Sequence, residues 1–236
     1  MNRFASVLGI LMISAMMSKA ALAASSKGVI AAVPEVTALE PELEALYRDL
    51  HEHPELGFHE ERTANALATR LKALGYEVTT GVGRTGIVAI LRNGSGSTVM
   101  LRTELDALPM EEKTGLPFAS KVTVLDPAGA VVHVAHACGH DLHMTGWYGA
   151  AKIMAQRRNA WHGTLMLVGQ PAEELISGAD AMLADGLFTR FPKPDFAISM
   201  HDEPSLPSGQ AGFHAGFFRA SSPHCVATWV PRVCTR

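Results

Sequence analysis

Cys138 and His140 stand one residue apart, and Asp141 follows directly. On an irregular segment, residues at that spacing can face the same side, and a thiolate beside an imidazole suits zinc. Downstream come two adjacent glutamates, Glu173 and Glu174, and then His201. Imidazole with carboxylate also suits manganese or cobalt. Two adjacent glutamates at a strand end point different ways. One can bind a metal while the other takes a proton from water, whose pKa a metal lowers to about 7.

Each of these residues has a plainer explanation. A Glu-Glu pair is most often a solvated surface, and His201 alone reads as a capping or core histidine. Cys138 alone reads as a buried, inert thiol. Asp141 fits either the N-cap of a following helix or a partner that orients a ligand. His133, His136 and His143 are individually unspecific, and at most one or two should matter. The ordered combination is far less accidental than any single member.

The elements around these residues explain how they meet. Apolar residues at helical spacing predict helices over 39–53 and 60–74, with Pro54 stopping the first and Gly75 closing the second. β-rich runs follow at 76–80, 86–92 and 97–102, with Asn93-Gly94 reading as a hairpin turn between the last two. Residues 111–135 read as a surface loop with a short strand near 131–134. A helix is expected from 141 to 158, a buried strand over 164–169, a short helix over 179–186 and another buried strand over 196–200. This alternation predicts an α/β fold with a largely parallel sheet and an antiparallel edge. Glu104 and Asp106, then Glu173-Glu174, then His201-Asp202 each follow a strand, so they are expected on the one rim where such sheets bind ligands.

Composition narrows the classes. At 47% hydrophobic and 18% charged, the 236 residues suit one sizeable core. A net charge of -3 leaves no basic excess for phosphates, which argues against nucleic acid. Arg3 heads an apolar run over 4–17, too short for a membrane span, and Ala21-Leu22-Ala23 offers a small-x-small cleavage site. The expectation is a signal peptide over 1–23 cut near Ala23, a linker over 24–38, a secreted, periplasmic location and no stable membrane insertion. Of three cysteines, Cys225 and Cys234 are close enough to form a small loop if oxidised.

Five segments then converge. They are Leu50-His51-Glu-His-Pro54-Glu-Leu-Gly57-Phe-His-Glu60, Leu101-Arg102-Thr-Glu-Leu-Asp106-Ala-Leu-Pro109, His136-Ala-Cys-Gly-His-Asp-Leu-His143, Gln170-Pro-Ala-Glu-Glu174 and Met200-His201-Asp-Glu-Pro204. Together they resemble the M20 metallopeptidase family, nearest its branch of hippurate, auxin-conjugate and other N-acyl-amino-acid amidohydrolases. The resemblance runs from about Leu39 to Ala220. It implies a three-layer α/β/α zinc-peptidase-like catalytic domain. It also implies two divalent metal ions, zinc or manganese with cobalt or nickel as alternatives, held by Cys138, His140, Glu174 and His201. Glu173 would be the general base, with Asp106 and Asp141 as supporting carboxylates. The implied reaction is hydrolysis of small N-acyl amino acids by a metal-activated water.

The chain departs from that pattern twice. Glu104 stands where the branch more often has Asp, and the longer carboxylate should be tolerated. The family also has a dimerisation (lid) domain after the position of Ala220 and a last histidine ligand beyond it. Residues 221–236 do not resemble the start of that domain. The expectation is a partial catalytic domain over 39–220, an atypical tail over 221–236, and weak or absent amidase activity. Two other readings stay open: a non-catalytic periplasmic metal-binding protein using the same ligands, and an enzyme with Cys138 as nucleophile.

Overall fold

The computed structural model describes residues 34–126 and 128–203. The expected signal peptide, most of the expected linker and the atypical tail with Cys225 and Cys234 lie outside the described residues.

Helix α1 (Pro34–Glu52) begins five residues before the apolar pattern does. Residues 34–38, expected as the end of a linker, are helical. Pro34 is tolerated because a first-turn N–H has no helical partner, and Glu35 complements the positive helix end. From Leu39 onward the described residues form one unit. Leu39, Leu46 and Leu50 recur on one buried stripe of α1. Helix α2 (Glu61–Ala73) buries Ala64, Leu67, Ala68 and Leu71, and Gly75 takes the left-handed turn (φ 84°) that ends it.

The sheet contains β1 (Glu77–Val82), β2 (Gly86–Asn93), β3 (Thr98–Glu104), β6 (Gly163–Gln170) and β7 (Phe196–Ser199). A separate small hairpin holds β4 (Thr123–Leu125) and β5 (Val131–His133) within the region expected as loop. Strand order in the main sheet is β1-β2-β6-β3-β7. β6, β3 and β7 run parallel, while β1 and β2 form the antiparallel side. The expected β2–β3 hairpin is therefore wrong. Asn93-Gly94 does reverse the chain, but β6 inserts between the two strands and pairs with β2 from Ile87 to Asn93 and with β3 from Thr98 to Glu104. A turn motif fixes a reversal, whereas apolar burial on both faces decides which strand fills the neighbouring place.

Alternation along the strands feeds two cores. On one face Ile87, Ala89, Leu91, Leu165 and Leu167 pack with Leu46, Leu50, Leu67, Leu71, Trp147 and Tyr148 of α1, α2 and α3 (His140–Gln156). On the other, Val88, Ile90, Met166 and Val168 pack with Met182 of α4 (Gly178–Ala184) and Leu187 of α5 (Leu187–Arg190). The result is the expected three-layer α/β/α arrangement. β7 is a correction. It was expected to be buried, yet Ile198 is 54% exposed, and β7 is the edge of the sheet among the described residues. No helix among the described residues is long and apolar enough to cross a membrane.

Candidate metal centre

Because β3, β6 and β7 are parallel, their C-terminal ends open on one rim. Glu104 ends β3 and Asp106 follows it; the Pro171–Ser177 turn leaves β6; His201 follows β7. α3 starts at the same rim. Its N-cap is Gly139, in the left-handed conformation (φ 74°), so Asp141 is not the cap. A Cβ on Gly139 would sit 2.7 Å from Asp202 Oδ1. The glycine thus lets Cys138 and His140 pass close beneath the His201-Asp202 segment.

Two overlapping groups of donors form there. Sγ of Cys138 and ring nitrogens of His140 and His201 lie within 4.8 Å of one another, and so do the donors of His140, Glu173 and Glu174. Cys138 Sγ is 3.5 Å from His201 Nε2. His140 Nε2 is 3.8 Å from Glu173 Oε2 and 3.9 Å from Glu174 Oε1. All five residues singled out for metal binding and proton transfer therefore share the rim.

Hydrogen bonds orient them. His140 Nδ1 lies 2.8 Å from the Asp106 carbonyl oxygen, which can only accept. Nδ1 therefore carries a proton, and Nε2 is the nitrogen that faces the rim. His201 repeats the arrangement, with Nδ1 donating to the Asp202 carbonyl at 2.7 Å. Asp106, fully buried, accepts the Glu174 N–H through Oδ2 at 2.9 Å. Asp141 pairs instead with His51, whose Nδ1 is 2.6 Å from Asp141 Oδ2 and whose Nε2 is 3.1 Å from Glu112 Oε1. That pair links α1 to α3.

The site fits a divalent cation. His140 Nε2, Glu174 Oε1 and Asp106 Oδ1 are buried and have no hydrogen-bond partner, a costly state that a metal ligated by the first two would relieve. The field agrees. Burial alone would lower His140, but Asp106 and Glu104 outweigh it and bring its pKa to about 9. A pocket that favours an extra proton so strongly favours a cation. Burial pushes the Cys138 thiol up to about 12, with the Glu174 and Glu173 charges acting in the same direction. Such a thiol is a poor nucleophile, whereas a bound metal deprotonates a coordinating thiol outright. Burial also raises Glu173, although His140 opposes it.

Sequence reasoning missed a second polar chain. His143 Nδ1 lies 3.1 Å from Glu104 Oε2, and its Nε2 accepts the Asp202 N–H at 2.9 Å. Burial works against the Glu104 charge, but His143 and Arg102 win and hold its pKa at about 2. Glu104–His140–His143 and His143–His201–Asp202 are further groups close enough to hold an ion. The available signal was spacing, since His143 lies one helical turn after His140 on the same face. His136 is buried with both ring nitrogens unpartnered, and burial lowers its pKa to about 4.

A three-layer α/β/α fold with imidazole, thiol and paired carboxylates on the carboxyl rim of its sheet is an arrangement that can hold divalent metal. Residues 100–232 match Peptidase family M20/M25/M40, and the chain belongs to that family. It is 43% identical over 173 residues to hippurate hydrolase of Campylobacter jejuni, covering 73% of this chain and 42% of that protein. It is 38% identical over 176 residues to N-acetylcysteine deacetylase of Bacillus subtilis, covering 74% and 43%. Among solved structures it resembles a dinuclear metal binding peptidase of the M20 family from Bacillus subtilis. That likeness has a TM-score of 0.64 and 36% identity, covering 72% of this chain and 45% of that one. The chain spans less than half the length of these relatives.

Proposed function

We propose that this chain carries the metal centre of a hydrolase that cleaves the amide bond of small N-acyl amino acids, with two divalent ions, zinc or manganese. The observation that carries the reading is the pair of buried, unpartnered ligand atoms, His140 Nε2 and Glu174 Oε1, with the Glu173 carboxylate beside them. Cys138, His140, Glu174 and His201 would hold the ions. When bound, such ions polarise a carbonyl and lower the pKa of water.

The chain's own residues do the rest. Asp106 fixes the tautomer of His140 through its carbonyl and the backbone of Glu174 through its carboxylate. Glu173, its side chain 40% exposed, faces the rim with a pKa raised by burial. It takes a proton from water at Oε2 and returns it to the leaving amine. Substrate class is supported by the relatives: hippurate hydrolase and N-acetylcysteine deacetylase both carry N-acyl amino acids in their names. The basic start, apolar run and Ala21-Leu22-Ala23 site support export to the periplasm.

Metal analysis of the purified chain, with hydrolysis of N-benzoyl and N-acetyl amino acids before and after chelation, tests the reading. Bound metal, at most two ions per chain, is expected, and the weak hydrolysis expected of this chain should be abolished by chelation and by Glu173→Ala. A chain that binds no metal, or that hydrolyses as fast with Glu173→Ala, sinks it. A chain that binds metal without turnover supports the second reading, a metal-binding protein built on the same ligands.

A further inference from the structure

We infer that Glu60 is a positioning residue that holds the Ala172 turn, and through it sets where Glu173 and Glu174 stand. Glu60 occupies the N-cap position of α2, where a carboxylate ordinarily accepts from the first helical N–H groups. It does not do so. Glu55 takes over that task from the preceding loop, accepting Arg62 N–H at 3.0 Å and Thr63 N–H at 2.7 Å. The Glu60 side chain is left to cross the fold. Completely buried, it accepts the Ala172 N–H through Oε1 at 2.7 Å and the Thr85 hydroxyl through Oε2.

The backbone it holds is unusual. Ala172 has φ 45° without being glycine, a conformation that persists only where surroundings impose it. Gly57 closes over the same residue, since a Cβ there would lie 3.1 Å from the Ala172 Cα. On the far side, Glu174 N–H is held by Asp106 Oδ2 at 2.9 Å. Glu173 thus hangs between two amides, each gripped by a buried carboxylate from a different part of the chain. Asp106 reaches one from the end of β3, and Glu60 reaches the other from the start of α2. Neither contact is visible in the Gln170-Pro-Ala-Glu-Glu174 segment itself.

This inference rests on Glu173 and Glu174 being base and ligand, so its test uses readouts that separate the two. Amide exchange by mass spectrometry over residues 168–178, and calorimetric zinc affinity, are measured on the full chain. Glu60→Leu removes both acceptors. It should open 168–178 selectively and weaken zinc binding about tenfold, as loss of a group supporting a ligand does. Adding Ala172→Gly, which accepts φ 45° without strain, should recover part of the zinc affinity. A merely structural role for Glu60 would show no such recovery. Should Glu60→Leu not fold, Glu60→Gln carries the test. An uncharged acceptor holds the Ala172 N–H less tightly, so exchange over 168–178 should rise about tenfold with α2 and β2 unchanged. Unchanged exchange at 168–178, or an equal rise everywhere, overturns the positioning role. Unchanged zinc affinity in Glu174→Ala overturns the reading of the site and leaves the exchange result standing.

Discussion

Asp106 and His140 meet twice. The Asp106 carbonyl accepts from His140 Nδ1 at 2.8 Å, and its carboxylate Oδ1 lies 3.5 Å from the same nitrogen. The other carboxylate oxygen reaches the Glu174 N–H. One residue at the end of β3 therefore aims an imidazole on α3 and a glutamate after β6 at the same point.

Removing that carboxylate should free the Glu174 backbone, while the Asp106 carbonyl still holds His140. Asp106→Ala is expected to lower zinc affinity by roughly 10- to 100-fold, the usual cost of losing a group that orients a metal ligand. Calorimetric titration measures it. Affinity within twofold of the parent in a folded variant would mean Asp106 supports the fold alone.

Cys138 is expected to contribute a thiolate. Cobalt(II) added to the parent chain should give a sulfur-to-metal charge-transfer band in the near ultraviolet, because soft thiolate donors bind such ions covalently enough to show one. Cys138→Ser should lose the band. A band that survives the substitution would place sulfur outside the centre.

His51 gives a pH dependence unconnected with metal. It is faced by Asp141 from α3, by Glu112 from the loop after β3, and by the rings of Tyr47 and Phe118. His136 adds a weak opposing interaction only if charged, and burial holds it neutral. Burial alone lowers the His51 pKa, but the two carboxylates outweigh it and raise it above 6.5. A folded-state value above the unfolded one means that the stabilisation is complete below 6.5 and fades as pH rises through the raised value. Thermal unfolding midpoints should therefore fall with rising pH more steeply for the parent than for His51→Gln. Parallel curves would refute the coupling.

Gly178 has a steric task. A Cβ there would stand 1.5 Å from the Pro171 carbonyl oxygen, so any side chain pushes on the turn that carries the two glutamates. Gly178→Ala should destabilise by about 1–3 kcal/mol, the range for overpacking, and weaken zinc binding as well. Gly94→Ala, where φ 79° strains a side chain but a Cβ meets nothing within 4 Å, is the control for zinc binding alone. Chemical denaturation of Gly178→Ala and zinc titration of both variants check this.

Much of this was legible in the residues. Helical stripes gave α1, α2 and α3, and the polar residues after each parallel strand marked the rim. What stayed hidden depends on partners distant in sequence. Asn93-Gly94 looks like a hairpin because the motif describes only its own four residues. Its side chain in fact caps the Arg158 and Trp161 carbonyls, steering the segment that leads into β6. Asp141 looks like a cap because no local pattern shows that His51, on another helix, claims its carboxylate. Glu60 looks like an ordinary first-turn glutamate for the same reason. Propensity and period are local, while the buried contacts that decide these roles are not.

The place of β6 between β2 and β3 has a consequence for how the chain folds. β2 and β3 emerge first, joined by a reversing Asn-Gly turn, and they must stay apart until α3 and β6 have followed. A premature β2–β3 pairing would satisfy the turn and close the gap that β6 fills. Folding then waits on long-range closure, which is slow in mixed and parallel sheets.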